Sequence, residues 1–239
     1  MTPYLSLVLP AYNEAAAIRR TVSEAADYCA ARGFPYQIIV AADGDDGTRE
    51  IVLEMARTNP SLAAVGSPKR CGKGHGVREG IAAATGEIIG YADADNKVPV
   101  REFDKIQPWL TEYPVVTGSR ALDHSVIDRR QPLYRRLGSR GFHLFMHAAT
   151  GLWHVSDSQC GFKFFRRDVA RDLFARQRID GYMFDVEILA LAQALGYAVK
   201  EVPIRWRDDG DSRLELVRGN LRNVRDILRI RRLAAAQRP

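Results

Sequence analysis

Short apolar runs alternate with stretches of helical periodicity through the first half of the chain, and that alternation predicts its architecture. Leu5 to Glu14 reads as a buried strand running into a turn. Ile18, Val22, Ala25, Ala26 and Cys29 then recur at helical spacing across Ala15 to Arg32, and Gly33 is placed to end that helix. Tyr36 to Ala42 predicts a second strand, and Thr48 stands where it can cap a helix whose inner face is Ile51, Val52 and Met55. A short strand at Leu62 to Val65 precedes a basic glycine-rich loop, Lys69 to Gly76, and a helix to about Ala84. Glu87 to Ala92 is a further buried strand, followed by a helix near Arg101 to Leu110 and a strand at Val115 to Gly118. Strands separated by single helices imply an α/β fold with a mostly parallel central sheet flanked by helices.

The second half changes character. Residues 121 to 150 are arginine-rich and then aromatic, and predict a long helix from about Leu133. Asp157 to Lys163 is dense in polar groups ahead of Phe164-Phe165, the pattern of a loop lining a cleft. Helices are expected at Asp168 to Ala175 and Phe184 to Leu195, with a strand over Val199 to Trp206. An amphipathic helix from about Leu214 to Leu233 follows, with Leu214, Val217, Leu221, Val224 and Leu228 on one stripe and Arg218, Arg222, Arg225 and Arg229 beside it. That stripe fits either packing on the domain or contact with an anionic membrane surface.

Composition adds little to the fold but points to partners. The 239 residues can bury a proper core, and 46% hydrophobic with 27% charged residues is ordinary for a globular protein. A net charge of +6 favours anionic partners such as nucleotide phosphates, phospholipid headgroups or nucleic acid. From Arg218 onward seven Arg stand against one Asp, an excess equal to the whole net charge. Cys29, Cys71 and Cys160 are odd in number with no Cys-x-x-Cys pair, so free thiols are expected. No signal-peptide pattern opens the chain, and no run of about 20 apolar residues is present to span a bilayer. The longest uncharged stretch, Gly141 to Ser156, includes three His and is too polar to span. A cytoplasmic protein lying peripherally on the cytoplasmic membrane face is the expectation.

Candidate chemistry begins with Asp93-Ala94-Asp95 at the end of the Glu87 to Ala92 strand. On an extended segment, carboxylates at i and i+2 project to one side, where open α/β sheets bind ligands. Such a pair can hold a divalent cation against a diphosphate, although Asp-x-Asp also occurs in ordinary turns. Tyr12 and Glu14, after Pro10, could lie beside a nucleoside; the plain alternative is a strand-to-helix turn capped by Asn13. Asp43 could accept from a base N–H, or simply open a turn. Lys73 among three glycines could neutralise a diphosphate, although the segment lacks P-loop spacing. His143 and His147 stand one helical turn apart, but Leu144 replaces the glutamate of a zinc protease, so both are read as ordinary helix residues.

Taken together these segments resemble the family 2 inverting glycosyltransferases of the GT-A fold. The resemblance rests on Pro10-Ala11-Tyr12-Asn13-Glu14, the Asp43 turn, Lys73-Gly74 and Asp93-Ala94-Asp95. Gly118-Ser119-Arg120, Pro132 to Gly141, Asp157 to Lys163, Phe184-Asp185-Val186-Glu187 and Glu201-Val202-Pro203-Ile204 are similar to polyprenyl-phosphate sugar synthases. The pattern is most like dolichyl-phosphate β-glucosyltransferases, then dolichyl-phosphate mannose synthases. The resemblance implies that Pro10, Tyr12, Glu14 and Asp43 hold the nucleoside, while Asp93 and Asp95 bind Mg2+ or Mn2+, with Ala94 between them. It implies phosphate binding near the acceptor by Arg120, Arg135 and Ser139, and a donor contact from Arg213. Three departures stand out: Ala41-Ala42 precede Asp43 where a doubled Asp is usual, Lys97 replaces a Gln of some mannose synthases, and no membrane-spanning run is present.

The implied reaction is a metal-dependent inverting transfer of a hexose, glucose before mannose, from UDP-glucose or GDP-mannose to a polyprenyl or dolichyl phosphate. Residues 1–213 are expected to form one domain, with a nucleotide-binding half to about 119 and an acceptor half after it, and 214–239 a basic helix. Asp95, Arg135 and Asp157 are the candidate catalytic residues, Asp157 or Asp185 serving as base only if the acceptor is an alcohol. The alternatives are a polysaccharide or soluble acceptor, and a non-catalytic basic module on membrane or nucleic acid; with the transferase reading no nucleic-acid partner is expected.

Overall fold

The computed structural model describes residues 2–127, 141, 144–207 and 218–237. Seven strands form its main sheet: Leu5–Tyr12 (β1), Tyr36–Asp43 (β2), Leu62–Val65 (β3), Ile88–Ala92 (β4), Val115–Ser119 (β5), Phe162–Arg166 (β7) and Val199–Pro203 (β8). Their order is β3-β2-β1-β4-β7-β5-β8. Every pairing is parallel except those of β7, which runs antiparallel to both β4 and β5. Two short strands, Val126–Ile127 (β6) and Arg205–Trp206 (β9), form a separate parallel pair.

Side chains alternate across this sheet and feed two cores. Leu7, Leu9, Ile38, Val40, Phe162 and Phe164 face the layer holding Ala15–Arg32 (α1), Thr48–Ala56 (α2) and Phe103–Ile106 (α4). Val8, Ile39, Tyr91 and Phe165 face the layer of Lys73–Ala83 (α3), a helix over 144–150 (α5), Arg167–Arg176 (α6), Phe184–Ala194 (α7) and Arg218–Ala235 (α8). α7 is buried on nearly every side, because the sheet lies under it and α8 over it. A helix without a polar face suits only such a position.

Most expected elements are present within a residue or two, with informative exceptions. Gly33 ends α1 at φ 70°, as its position suggests. Thr48 does not cap α2: its hydroxyl accepts from Glu14 N–H at 2.9 Å and donates to Asp46 at 2.6 Å, so it secures the start of α1. Nor does Asn13 cap α1; it sits at φ 54° with Glu14 in the cap position. The expected helix at 101–110 is broken into 3-10 turns around the four-residue α4, with Pro108 in the second turn. Phe162–Arg166 is a central strand rather than the end of a loop, and Val199 to Trp206 is split between two sheets. The stripe expected on the last helix is not the packed one, since Ile227, Ile230 and Ala234 are buried while Leu221 is 79% and Leu228 44% exposed. The helix expected from Leu133, along with Leu214 and Val217, lies outside the described residues.

β4 and β7 approach closely because Gly90 leaves room for the Phe164 ring, which also packs on Phe103 and Phe162 at 4.7 and 4.8 Å. A Cβ at Gly90 would stand 2.2 Å from that ring and 2.8 Å from the Lys163 carbonyl. Overpacking of this kind costs about 1–3 kcal/mol. Gly90→Ala is therefore expected to lower the melting temperature by about 2–10 °C; a calorimetric scan with an unchanged midpoint contradicts this packing.

Candidate active site

The chain runs β1 to β2 to β3 outward on one side of β1, then returns to place β4 on its other side. That reversal opens a crevice at the carboxyl ends of β1 and β4, the position where open α/β sheets take ligands. Tyr12 ends β1, Asp43 ends β2 and Asp93 follows β4, so three expected site residues reach one edge because three parallel strands end there.

Asp93 to Asn96 is a turn rather than a continuation of β4, which corrects the extended geometry expected for the two acids. Asn96 N–H bonds the Asp93 carbonyl at 3.2 Å, and Asn96 takes the left-handed φ of 56°. The turn is tied down from three sides: Asp93 N–H donates to the Gly161 carbonyl at 3.1 Å, Thr21 Oγ1 to the buried Ala94 carbonyl at 2.9 Å, and Asn96 Nδ2 to Glu24. Its two carboxylates each meet an ammonium. Lys73 Nζ is 2.6 Å from Asp93 Oδ1, and Lys97 Nζ is 3.4 Å from Asp95 Oδ2. Partial loss of water, and next the Asp93 charge beside it, raise Asp95 above its ordinary value, while Lys97 opposes the rise. Two neighbouring acids fit a divalent cation whose other ligands would be phosphate oxygens and water, as is usual for magnesium. No cluster of three or more His, Cys, Asp or Glu able to hold a metal occurs among the described residues.

Lys73 opens α3 instead of lying in a flexible loop. Two of the glycines beside it serve close backbone approach: a Cβ at Gly72 would lie 2.3 Å from the Asp180 carbonyl, and one at Gly74 2.5 Å from that of Ile179. The 179–184 segment is thereby seated against the start of α3, with Gly74 N–H donating to Asp180 O at 2.8 Å. Asp43 is buried and accepts from Ser67 N–H at 3.2 Å and Cys71 N–H at 2.7 Å, so its carboxylate fixes the loop that carries Arg70. The Arg70 guanidinium lies 4.5 Å from the centre of the half-exposed Tyr12 ring and 3.4 Å from Tyr182 Oη. Pro10 sits opposite Ala41 in the β1–β2 register, and Glu14 precedes α1.

On the other side of Asp93 stands the 156–161 loop. Arg120 grips Asp157 with a two-point fork, Nε to Oδ2 at 2.7 Å and Nη2 to Oδ1 at 2.8 Å, while its own N–H reaches Oδ2 at 2.9 Å. Burial raises the Asp157 carboxyl and the Arg120 bonds more than offset it, leaving the group below the usual carboxylate range. Glu201 takes the N–H groups of Ser156 and Asp157 at 2.7 and 2.9 Å, and Trp206 packs under the guanidinium at 5.6 Å. Arg120 and Asp157 thus meet each other, a pairing that sequence spacing did not express. Arg135, Ser139 and Arg213 lie outside the described residues.

Lys163 was expected among cleft-lining groups, yet its side chain is completely buried. Its ammonium donates to the carbonyls of Cys160 at 2.6 Å and Ser158 at 3.0 Å, and to Asp185 Oδ1 at 2.7 Å. Asp185 Oδ1 also accepts from Tyr91 Oη at 2.5 Å, and Asp185 Oδ2 stands 3.8 Å from Lys73. Lys163, Asp185 and Glu201 were named in motifs, but motif reading did not show that they and Tyr91 act as supports. One signal was available: a lysine within Phe162-Lys163-Phe164-Phe165 is a charge in an apolar strand, and a buried charge demands a partner. His147 Nδ1 contacts the Leu152 carbonyl at 2.8 Å and its ring stacks on Trp153, as befits a structural side chain. The three cysteines are free, and burial pushes the Cys29 and Cys160 thiols up to about 12.

Gly161 lies directly under Asp93, where a Cβ would meet the three carboxylate atoms at 2.2, 2.5 and 2.6 Å. Gly161→Ala is expected to displace that carboxylate and abolish Mn2+-dependent nucleotide binding by calorimetry, while circular dichroism retains the fold. Full binding in this variant contradicts the assigned position of Asp93.

Comparison with known proteins bears on the fold and the family. Dolichyl-phosphate beta-glucosyltransferase ALG5C of Trichomonas vaginalis is 35% identical over 240 residues, covering 95% of this chain and 70% of the relative. The dolichyl-phosphate beta-glucosyltransferase of Homo sapiens is 32% identical over 246 residues, covering 96% and 75%. Among solved structures, glucosyl-3-phosphoglycerate synthase of Mycobacterium tuberculosis, crystallised with Mn2+, UDP and glucosyl-3-phosphoglycerate, superposes with a TM-score of 0.68 at 22% identity. It covers 96% of this chain and 80% of its own. Mannosyl-3-phosphoglycerate synthase of Rubrobacter xylanophilus gives a TM-score of 0.68 at 18% identity, covering 99% and 76%. These likenesses establish a GT-A fold. Because residues 6–174 match it directly, the chain belongs to glycosyl transferase family 2.

Proposed function

We propose that the protein transfers glucose from UDP-glucose to a polyprenyl or dolichyl phosphate, with inversion at the anomeric carbon and a divalent metal, Mg2+ or Mn2+, as cofactor. The observation that carries this reading is the Asp93–Asp95 turn at the crevice between β1 and β4, with Lys73 against it. The names of the relatives support the lipid phosphate and the glucose, and the Mn2+ and UDP of the structural neighbour support the donor and metal. GDP-mannose is the second donor to try.

Tyr12 supplies a ring face for the base, with Pro10, Glu14 and Asp43 around the nucleoside. Asp93 and Asp95 hold the metal, which when bound stabilises the negative charge gathering on the departing diphosphate. Lys73 adds a positive charge beside it. A lipid phosphate is already anionic near pH 7 and needs no proton removed before attack. Asp157 therefore acts here by holding Arg120, whose guanidinium orients the acceptor phosphate and offsets repulsion between the two phosphate groups. Arg135 and Ser139 on the acceptor, and Arg213 on the donor, keep their roles through resemblance.

With UDP-glucose, Mn2+ and a short polyprenyl phosphate, a lipid-linked glucose is expected, and Asp95→Ala should reduce its formation about 1000-fold, the scale of losing a principal electrostatic stabiliser. Undiminished turnover in that variant, or glucose transfer only to lipid-free acceptors, contradicts the proposal.

A lipid acceptor calls for a membrane-facing surface, and α8 supports one. No helix among the described residues is long and apolar enough to cross a membrane. The outward side of α8 instead exposes Leu221 and Leu228 among the exposed Arg222, Arg225, Arg229 and Arg232, and Asp226 is the one acid in the helix. Apolar side chains amid arginines match the interface of an anionic leaflet, so the proposed placement is peripheral, on the cytoplasmic face. Leu221→Glu combined with Leu228→Glu is expected to weaken sedimentation with phosphatidylserine vesicles by about tenfold or more. Equal partitioning removes α8 from the membrane contact.

A further inference from the structure

Each acid expected to take a divalent ion is already paired with a lysine of the same chain. Lys73 Nζ lies 2.6 Å from Asp93 Oδ1, and Lys97 Nζ 3.4 Å from Asp95 Oδ2. Neither lysine is a loose surface group, since their side chains are only 18% and 16% exposed. Behind them Lys163 is paired with Asp185 at 2.7 Å. Three ammonium groups therefore face three carboxylates, and the cluster sums to zero formal charge. Among the described residues of this cluster, a divalent ion arriving alone meets no excess negative charge and two cations in its way. A nucleoside diphosphate changes that balance, because it brings several negative charges that ion and lysines can share.

We propose that Lys73 and Lys97 are placeholder cations that make metal binding conditional on the nucleotide. In the free protein they keep Asp93 and Asp95 paired and aimed into the crevice. When ion and diphosphate enter together, the ammonium groups give up the carboxylates. The geometry provides for that exchange. Asp185 Oδ2 stands 3.8 Å from Lys73 Nζ, a second carboxylate toward which the ammonium can move. Asp95 Oδ1 keeps the Lys97 backbone N–H at 3.2 Å, so its orientation survives withdrawal of the side chain. The inference rests on the donor-and-metal reading above and adds an order of events: nucleotide and ion bind cooperatively, and the chain's own lysines set the size of that cooperativity.

The test is Mn2+ binding, read from the paramagnetic resonance of the free ion with and without UDP, in the wild type, Lys73→Met and Lys97→Met. In the wild type UDP is expected to tighten Mn2+ about 5–150-fold, the ordinary span of coupling between two sites. Without UDP, Lys73→Met is expected to bind Mn2+ about tenfold tighter than the wild type, within the ordinary span of such coupling, and the enhancement by UDP should shrink. Lys97→Met should move in the same direction through the other acid, so misfolding of one variant, seen in its melting curve, leaves the other decisive. Mn2+ that binds only with UDP, with both folded variants unchanged, overturns the placeholder role and leaves the donor reading standing. A wild type that binds no Mn2+ even with UDP overturns both.

Discussion

The Lys163 ammonium is the interaction on which the site depends. It sits on a central strand, has no exposure to solvent, and has three acceptors within 3.0 Å. Taking an ammonium out of water costs several kcal/mol, and such a group is tolerated only when its donors are fully engaged. The carbonyls of Ser158 and Cys160 must therefore turn inward, which curves the 156–161 loop over the end of β4. That curvature brings the Gly161 carbonyl to Asp93 N–H and Gly161 Cα beneath the carboxylate. Asp185, the third acceptor, joins the same charge to Tyr91 and stands within reach of Lys73. Removing one partner of a buried pair typically costs about 3–5 kcal/mol; here it would also release the support of a candidate metal ligand.

The antiparallel strand makes this possible. β7 runs against β4 and β5, so the residues just before it meet the carboxyl ends of its parallel neighbours. Asp157 enters the edge from that direction and Arg120 from the end of β5, and their two-point fork closes one side of the crevice. The residues proposed for the nucleoside come from β1 and β2, so one sheet edge carries both sets of candidate residues. A mixed sheet is thus the device by which a nucleotide crevice gains a second wall.

Much of the first half was legible in the sequence because each parallel strand there is a short apolar run ended by polar or glycine residues, and each helix has a single inner face. Tyr12, Asp43 and Asp93 could be placed at strand ends for the same reason. The two-acid geometry was not legible, because the turn at Asn96 depends on bonds from Thr21, Glu24 and Gly161, residues distant in sequence. Lys163 reads as polar from its neighbours, since nothing local reveals that Asp185 on α7 receives it. Which of its two open readings the stripe on α8 follows was not legible for a related reason. Two apolar stripes exist on that helix, and only the packing of α7 decides that Ile227 and Ile230, rather than Leu221 and Leu228, turn inward.

The central claim is that the Asp93–Asp95 turn and the crevice between β1 and β4 hold a metal-bridged nucleoside diphosphate. Anomalous diffraction at the manganese edge, from crystals grown with UDP and Mn2+, tests it most directly. The account predicts one strong peak at this turn, with the uracil beside Tyr12 and Lys73 withdrawn from Asp93. A peak elsewhere on the molecule, or UDP bound away from this sheet edge, would contradict it.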